Sequence, residues 1–581
     1  MNSPVDKIKE RLSIEEVISS YIKLERAGTN LKARCPFHNE KTPSFFVSPG
    51  RGSYYCFGCS ASGDIFTFVQ EFEGLDFKGA LKLLADKAGI PLETYNKEIE
   101  SEKDRLYKAM EESAVYFSNN LLKSPDVLQY LKSRGLNETT IKDFRIGYIK
   151  EDWRLLYGHL KNAGFTDNEI EKAGLAKKSE KGFYDRFRNR IMFPIADSSG
   201  RVIAFSGRLF KDDGKSAKYL NSPDTLIFSK SSVLYGLDRA KESIRKNNFS
   251  ILVEGQIDLV LSHQAGYKNT VATSGTALAD ATVSKENVVN NLGLIRRLSD
   301  NIVLAFDADK AGLNACARAG KIALSLGMDV KVAMLPEGVD PADLISKDGA
   351  DVWKEAIRDS KHIIEFMLKR ALKNTDERKV GREVKEKILP YVNALESSIE
   401  KMHFIKKISD LSGIPQIALQ DDLKKVEEEL KTEKKEIQEA EAVAGTLYRK
   451  DHIINRLLGI AFWQEGIDNK AIDPELIFKE LNIKKEDYKD RKEDLIFEAE
   501  VFYGADADVK RDVEELLRNL EEEHLKEALG VAMKDLHKAE EKKDPEKSKI
   551  ILTQISDINN KIQDIKNNPS SKAKLTTGQE K

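Results

Sequence analysis

Three of the chain's four cysteines and one histidine lie in a short N-terminal stretch, as Cys35-Pro36-Phe37-His38 and Cys56-Phe57-Gly58-Cys59. Two-residue spacers let each pair turn back onto one ion, and three thiolates with one imidazole suit the tetrahedral geometry of a closed structural Zn2+ site. Gly58 allows the tight second knuckle. Paired cysteines also read as disulfides, but no secretory signal precedes them and the fourth, Cys316, stands far away. Cys316 is expected as a small, buried apolar residue.

A second group is acidic. Glu254 closes the apolar run Ile251-Leu252-Val253, Asp307 and Asp309 sit in Ala305-Phe306-Asp307-Ala308-Asp309-Lys310-Ala311-Gly312, and Asp340 follows a further strand signal. Alternate residues of an extended segment face the same way, so Asp307 and Asp309 can share a cation. Hard carboxylate oxygens suit Mg2+, which commonly bridges protein to phosphate. Gly255 and Gly312 permit close backbone approach. Acidic residues also punctuate strand ends with no further role; a third acidic place favours a site.

The elements that must position these groups can be read from periodicity. Ser13-Ile14-Glu15-Glu16 is a capping box opening an amphipathic helix through Val17, Ile18, Tyr21 and Ile22. Gly63-Asp64 caps a helix from Ile65 to Phe72, and another through Leu81, Leu84 and Ala88 stops at Gly89-Ile90-Pro91. From Phe249, short apolar strands (Ile251 to Gly255, Thr270 to Gly275, Ile302 to Asp307, Val330 to Leu335) alternate with helical segments. Such alternation implies a parallel sheet with helices on both faces and a ligand site at the strands' carboxyl ends. Asp351 to Val426 reads as helices with a break at Leu389-Pro390; Lys424 to Glu441 is a solvated helix or tether; Tyr448 to Ile565 is helical. The fold class expected is multidomain α/β and α.

At 581 residues the chain has length for about four domains. No apolar run approaches the roughly 18 residues of a membrane span, so a soluble cytoplasmic protein without membrane contact is expected. A net charge of −2 argues against a uniformly basic nucleic-acid binder, leaving local patches to meet any nucleic acid. The cysteine-rich module offers one: Lys32, Arg34, Lys41 and Arg51 lie among Phe37, Phe45, Phe46, Tyr54, Tyr55 and Phe57. Rings and cations together can stack and hold single-stranded bases. A module this small also needs rings for its own core, so the basic residues are the stronger candidates.

These motifs, taken in order, resemble the zinc ribbon and toprim motifs of bacterial DnaG-type primases. Tyr184-Asp185-Arg186-Phe187-Arg188-Asn189-Arg190-Ile191-Met192-Phe193-Pro194-Ile195 and Lys218-Tyr219-Leu220-Asn221-Ser222-Pro223 are similar to the N-terminal polymerase subdomain of that family. The resemblance covers residues 1 to about 430. It implies a zinc-ribbon template-binding domain (1–95), a linker (96–104) and an RNA polymerase core (105–430) divided into an N-terminal subdomain (105–245), toprim (246–350) and helical subdomain (351–430). A charged tether (431–445), a helical helicase-interaction domain (446–566) and a disordered tail (567–581) complete the expected order.

The resemblance further implies RNA primer synthesis on single-stranded DNA from ribonucleoside triphosphates, by a chain that is a monomer when free and is recruited by a DnaB-type replicative helicase. It implies one structural Zn2+ on Cys35, His38, Cys56 and Cys59, and catalytic Mg2+, replaceable by Mn2+, on Asp307, Asp309 and Asp340. Glu254 is then the general base or the group that positions the reacting hydroxyl. Arg208, Lys218, Tyr219, Asn221 and Lys230, with Lys32 and Arg34, are expected to meet triphosphate or template. One departure stands out: the family's Asp-Pro-Asp is here Asp340-Pro341-Ala342-Asp343. A helix starting at Pro341 makes Asp340 its N-cap and Asp343 a structural N3 residue bonding back to the cap, leaving Asp340 for metal.

Three other readings compete. A toprim nuclease or topoisomerase is expected to carry another catalytic module, and none is identifiable. A noncatalytic recruiting protein is disfavoured by the intact acidic residues. A fused helicase motor needs a GxxxxGK[ST] loop; the nearest segment, Arg318-Ala319-Gly320-Lys321-Ile322, reads as helix.

Overall fold

Alternation of buried and open residues builds the N-terminal sheet. The structure, a computed structural model, describes residues 4–38, 43–59, 61–91, 102–211, 214, 216–230, 233–273, 285–373, 376–430, 450, 453–467, 470–503, 509–541 and 545–567. Lys41, Gly275, most of the expected linker, the tether at 431–445 and the tail from 568 lie outside them. Strands Glu25–Ala27, Asn30–Ala33, Phe45–Ser48, Ser53–Cys56 and Ser62–Gly63 pair antiparallel in chain order. Leu31, Ala33, Phe45, Val47, Tyr54 and Cys56 turn inward, whereas Lys32, Phe46, Tyr55 and Ser62 share one cross-strand row on the other face.

The expected caps are present. Ser13 and Glu16 close a capping box on the helix Ile14–Ser19. Asp64 Oδ1 accepts from the amides of Phe66 and Thr67, both at 3.0 Å, at the start of the helix Ile65–Glu73. Contacts gather residues 13–80 and 102–444 into one unit, and residues 1–12, 81–101 and 445–581 into another.

Within the first unit, ribbon and polymerase-like core meet along a charged seam. Arg201 Nη2 lies 3.0 Å from Asp76 Oδ1 and its Nε 2.8 Å from Asp197 Oδ2, with the guanidinium 4.1 Å from the Tyr107 ring centre. The core's N-terminal part is a four-stranded antiparallel sheet in the order Tyr219–Asn221, Val202–Leu209, Arg190–Ala196, Gly147–Ile149, backed by the helix Glu102–Leu122.

The second sheet runs Thr270–Ala272, Ser250–Val253, Asn301–Leu304, Asp329–Val332, Lys361–His362. Its first four strands are parallel, as expected. The fifth is an antiparallel edge strand in a region read from sequence as wholly helical, too short at two residues to leave a periodic signal. Trp353 is fully buried beneath this sheet and its indole donates to Ser262 Oγ at 3.1 Å. The expected break at Leu389-Pro390 is a π-helical turn, Val384–Ile388, running into the helix Leu389–Ala394 with Pro390 in its first turn. Proline lacks the amide that a continuous α-helix requires.

The second unit includes a helix over 453–465 and the helices Pro474–Leu481, Lys492–Tyr503, Val509–Glu541 and Pro545–Asn567. Leu457, Leu458, Phe462, Ile477 and Val513 lie in its core. Among the described residues, no helix is long and apolar enough to cross a membrane.

Candidate active site

The zinc-type ligands converge. Donor atoms of Cys35, His38, Cys56 and Cys59 all lie within 4.8 Å of one another, the only such group of three or more potential ligands among the described residues. Cys35 Sγ and Cys59 Sγ are 3.7 Å apart, close to the ~3.8 Å edge of a tetrahedron built on ~2.3 Å Zn–S bonds. Cys56 Sγ lies 3.7 Å from His38 Nδ1. Hydrogen bonds from the Cys35 and Cys59 thiols push the Cys56 thiol far below its ordinary range, favouring the thiolate that metal requires. These residues fit zinc. The need for Gly58 is one of space: a Cβ there would stand 2.4 Å from His38 Nε2.

The module's rings divide. Phe37, Phe45, Tyr54 and Phe68 pack edge-to-face and stacked inside, with ring centres 5.0–6.1 Å apart. Phe57 is 66% exposed and meets Phe46 and Tyr55 at 5.3 and 5.0 Å. Lys32 shares the row of Phe46 and Tyr55, and Arg34 is exposed just beyond.

The carboxylates gather at the carboxyl ends of the parallel strands. Glu254 follows Ser250–Val253, and its Oε1 accepts from the Asp307 amide at 3.3 Å. A Cβ at Gly312 would fall 2.2 Å from the Asp307 carbonyl and 2.8 Å from Glu254 Oε1, so this approach requires glycine. Asp309 caps the helix Lys310–Ser325, accepting from Gly312 N at 2.7 Å. Backbone bonds from Ala308 N to Val339 O (3.2 Å) and from Gly338 N to Ala308 O (3.1 Å) seat Asp340 beside that loop. Asp340 is the expected N-cap of the helix Pro341–Asp348.

Asp258 was not singled out from sequence. Its Oδ2 accepts from Gly255 N at 3.1 Å and its Oδ1 from Ala342 N at 3.0 Å, joining the segments that carry Glu254 and Asp340. The only local hint was its N3 place after Gly255. Burial, then the charges of Asp258 and Asp309 working against the Asp307 amide bond, push Glu254 up to about 7. Burial with Asp340 and Asp307 does the same to Asp258, and burial with Glu254, Asp340 and Asp309 to Asp307. No three of these carboxylates close to within 4.8 Å of one another as the cysteine–histidine group does, but hard oxygen donors whose mutual repulsion is only partly offset by backbone amides and by Lys218 suit a divalent cation. Asp343 differs: rather than closing back on the cap, its carboxylate pairs with Lys347 at 2.9 Å and Arg134 at 3.4 Å, and Lys347 first, then Arg134, hold it below the ordinary range.

Lys218 is exposed and its charge reaches Asp307. Arg208 donates to Tyr219 Oη at 3.3 Å, and its charge reaches Asp343. Arg190 donates to the carbonyls of Gly207 and Ala217, both at 2.9 Å, and Arg186 to that of Asn221 at 3.0 Å, fixing the segment that bears Lys218 to Asn221. Lys230 is half-buried, and its amide donates to Asp224. Trp153 carries no sequence signal of its own. It is 60% exposed, with the Arg188 guanidinium 4.1 Å from its ring centre and Tyr184 at 5.7 Å.

Three family models match: the CHC2 zinc finger over residues 1–100, the N-terminal domain of the DNA primase catalytic core over 116–241, and a toprim-like domain over 251–345. The DNA primase of Clostridium acetobutylicum is 38% identical over 430 residues, covering 72% of this chain and 69% of that protein. That of Staphylococcus aureus (strain MSSA476) is 37% identical over 370 residues, 62% of this chain and 59% of that one. Among solved structures, the zinc-binding and RNA polymerase domains of Aquifex aeolicus primase are 32% identical, covering 72% of this chain and 99% of that chain, with a TM-score of 0.48.

Proposed function

The chain belongs to the family of bacterial DnaG-type DNA primases, and from that premise we propose that it builds short RNA primers on single-stranded DNA at the cleft bounded by Glu254, Asp307, Asp309 and Asp340. The observation that carries this reading is the opposition of charge at the cleft. Of the mutually repelling carboxylates at the ends of the parallel strands, Asp307 lies within electrostatic reach of Lys218, and Arg208, bonded to Tyr219 on the same antiparallel sheet, reaches the neighbouring Asp343. Such a cleft accepts a triphosphate between a cation site and basic side chains.

In the reaction so assigned, a 3′-hydroxyl, or that of the initiating nucleotide, attacks the α-phosphorus of a ribonucleoside triphosphate. The new oxygen–phosphorus bond forms as the bond to pyrophosphate breaks. Glu254, raised to about 7, takes the hydroxyl proton or orients the hydroxyl near neutral pH. A divalent cation, Mg2+ or Mn2+, held by Asp307, Asp309 and Asp340 supplies charge neutralisation for the triphosphate when bound. Lys218 and Arg208 hold phosphate; Tyr219, Asn221 and Lys230 line the approach of nucleotide or template. Glu254→Gln should abolish primer synthesis on a bare single-stranded template while Mg2+ affinity, read by calorimetry, persists. Parental synthesis by that variant would remove the cleft from the chemistry.

The zinc is structural, and the open row of Lys32, Phe46 and Tyr55, with Phe57 and Arg34, stacks template bases. Trp153 with Arg188 and Tyr184 supports a second contact of the same kind on the core. The helical region 446–566 recruits a DnaB-type replicative helicase, raising local primase concentration at the fork without joining the chemistry; its separate apolar core supports that reading. The free chain acts as a monomer in the cytoplasm, at the nucleoid.

A further inference from the structure

The helix Gln256–Gln264 begins two residues after Glu254, and its first side chain is buried. Gln256 Nε2 donates to Ser206 Oγ at 2.9 Å, a buried bond from the start of the helix that follows the Glu254 strand to the antiparallel sheet. Ser206 is fully buried on the strand Val202–Leu209, with Arg208 two places farther along. Alternate strand residues share a face, so Ser206 and Arg208 look the same way. The strand's partner aligns Gly207 with Leu220 and Arg208 with Tyr219, and Leu209 N donates to Lys218 O at 2.8 Å. One buried bond therefore lies between the segment carrying Glu254 and the strand pair carrying Arg208 and Lys218.

We propose that Gln256 and Ser206 are positioning residues for the polymerase reaction, a strut that sets the spacing between the Glu254 carboxylate and the Arg208–Lys218 cations. The strut rests on the reading of this cleft as the primer-synthesis site. An apolar contact in its place would fill the volume, but it has no preferred direction or length. A hydrogen bond fixes both to within a few tenths of an ångström. The other side of the Glu254 segment is braced by Asp258 through Gly255 N and Ala342 N. Gln256 supplies the brace toward the cations. In an in-line displacement, the hydroxyl held at Glu254 and the phosphates held by Arg208 and Lys218 must meet in one geometry. A shift of the two sheets thus lowers turnover while leaving each sheet's own contacts with the triphosphate in place.

The test uses the full chain carrying Gln256→Met, which keeps length and loses the bond, Ser206→Ala, and the double substitution. Steady-state extension of a pre-annealed primer gives kcat and KM for the nucleotide, and binding of a nonhydrolysable triphosphate analogue and thermal melting are followed alongside. Each single substitution should lower kcat by roughly 10- to 100-fold, with KM and analogue affinity within about twofold. The double variant should match the singles, because both remove the same bond. Parental kcat in either single variant, additive losses, or losses in kcat and KM that follow melting temperature together would overturn the strut. Should Gln256→Met fail to fold, Ser206→Ala decides by the same criteria. A parent chain that extends no primer overturns the proposed function and the strut with it, whereas active parent and active variants overturn the strut alone.

Discussion

Lys241 Nζ lies 3.1 Å from Glu73 Oε2, across the seam between the helix Ile65–Glu73 and the polymerase core, although 168 residues separate them in the chain. Arg245 reaches the other oxygen at 3.4 Å while its guanidinium lies 4.3 Å from the Tyr21 ring centre. The Glu73 side chain is only 5% exposed. A carboxylate so placed holds two cations that have little water to turn to.

Replacing Glu73 with Met should therefore lower the denaturant unfolding free energy by about 3 kcal/mol, since it strands buried positive charge. Adding Lys241→Met should recover part of that loss, because an apolar pair tolerates burial better than an unpaired ammonium. A change within about 0.5 kcal/mol for Glu73→Met, the range of an exposed pair, would show that the seam contributes little.

Gly58→Ala should weaken zinc retention without touching a ligand. The added Cβ would press on His38 Nε2 at 2.4 Å and displace the imidazole. Loss on the order of tenfold in metal affinity is expected, as for other disturbances around ligands. Metal content after graded chelator treatment checks this, with Cys59→Ser as the variant that should release zinc outright. Initiation on single-stranded template should fall in both far more than extension of a supplied primer.

The acidic cleft makes stability depend on pH. Glu254, Asp258 and Asp307 stand at about 7 when folded, against an ordinary carboxylate value near 4. Between those values the folded chain binds more protons than the unfolded one, so stability falls as pH rises. The contribution is complete below about 4 and lost on passing through about 7. His263 and His362, both lowered to about 4 by burial, bind fewer protons folded than unfolded up to about 6.5 and oppose the trend, but two such groups are outweighed by the three raised carboxylates. Melting in chelator from pH 5 to 8 should show a falling Tm, flattened by Asp258→Asn. Added Mg2+ should restore more stability at pH 8 than at pH 5, where protons compete for the same oxygens. A flat Tm profile would contradict the raised carboxylates.

Asp340 and Asp343 should separate in a Mg2+ titration of primer synthesis. Asp340→Asn should raise the cation concentration needed, whereas Asp343→Asn, which loses its pairing with Lys347 and Arg134, should mainly cost stability, about 1 kcal/mol or less. A larger cation defect for Asp343→Asn would move the ligand along the chain.

Trp153→Ala should weaken binding of a fluorescent single-stranded oligonucleotide by roughly 1–3 kcal/mol per stacked base. Arg188→Ala should share the effect, since the guanidinium covers the ring. Unchanged affinity in both would confine template contact to the zinc ribbon and the cleft.

What the sequence determined by itself is local. The ligand quartet was legible because cysteine and histidine spacing within a few residues fixes which atoms can reach one ion, and the caps at Ser13, Asp64 and Asp340 because a side chain there meets amides two or three residues away. The strand-end carboxylates were legible for the same reason, as breaks in apolar runs. Tertiary structure decided what depends on distant segments meeting. Asp258 reads as an ordinary helical aspartate until the Ala342 amide, 84 residues on, arrives at its oxygen. Trp153 gains its cation only when Arg188 arrives over the ring, and Gln256 its buried partner only when Ser206 comes from the antiparallel sheet. Even the rings of the zinc ribbon were sorted into core and open face by strand register, not by composition. Local chemistry acts through bonds and neighbours a turn apart, whereas these partnerships exist only after apolar burial has packed the sheets together.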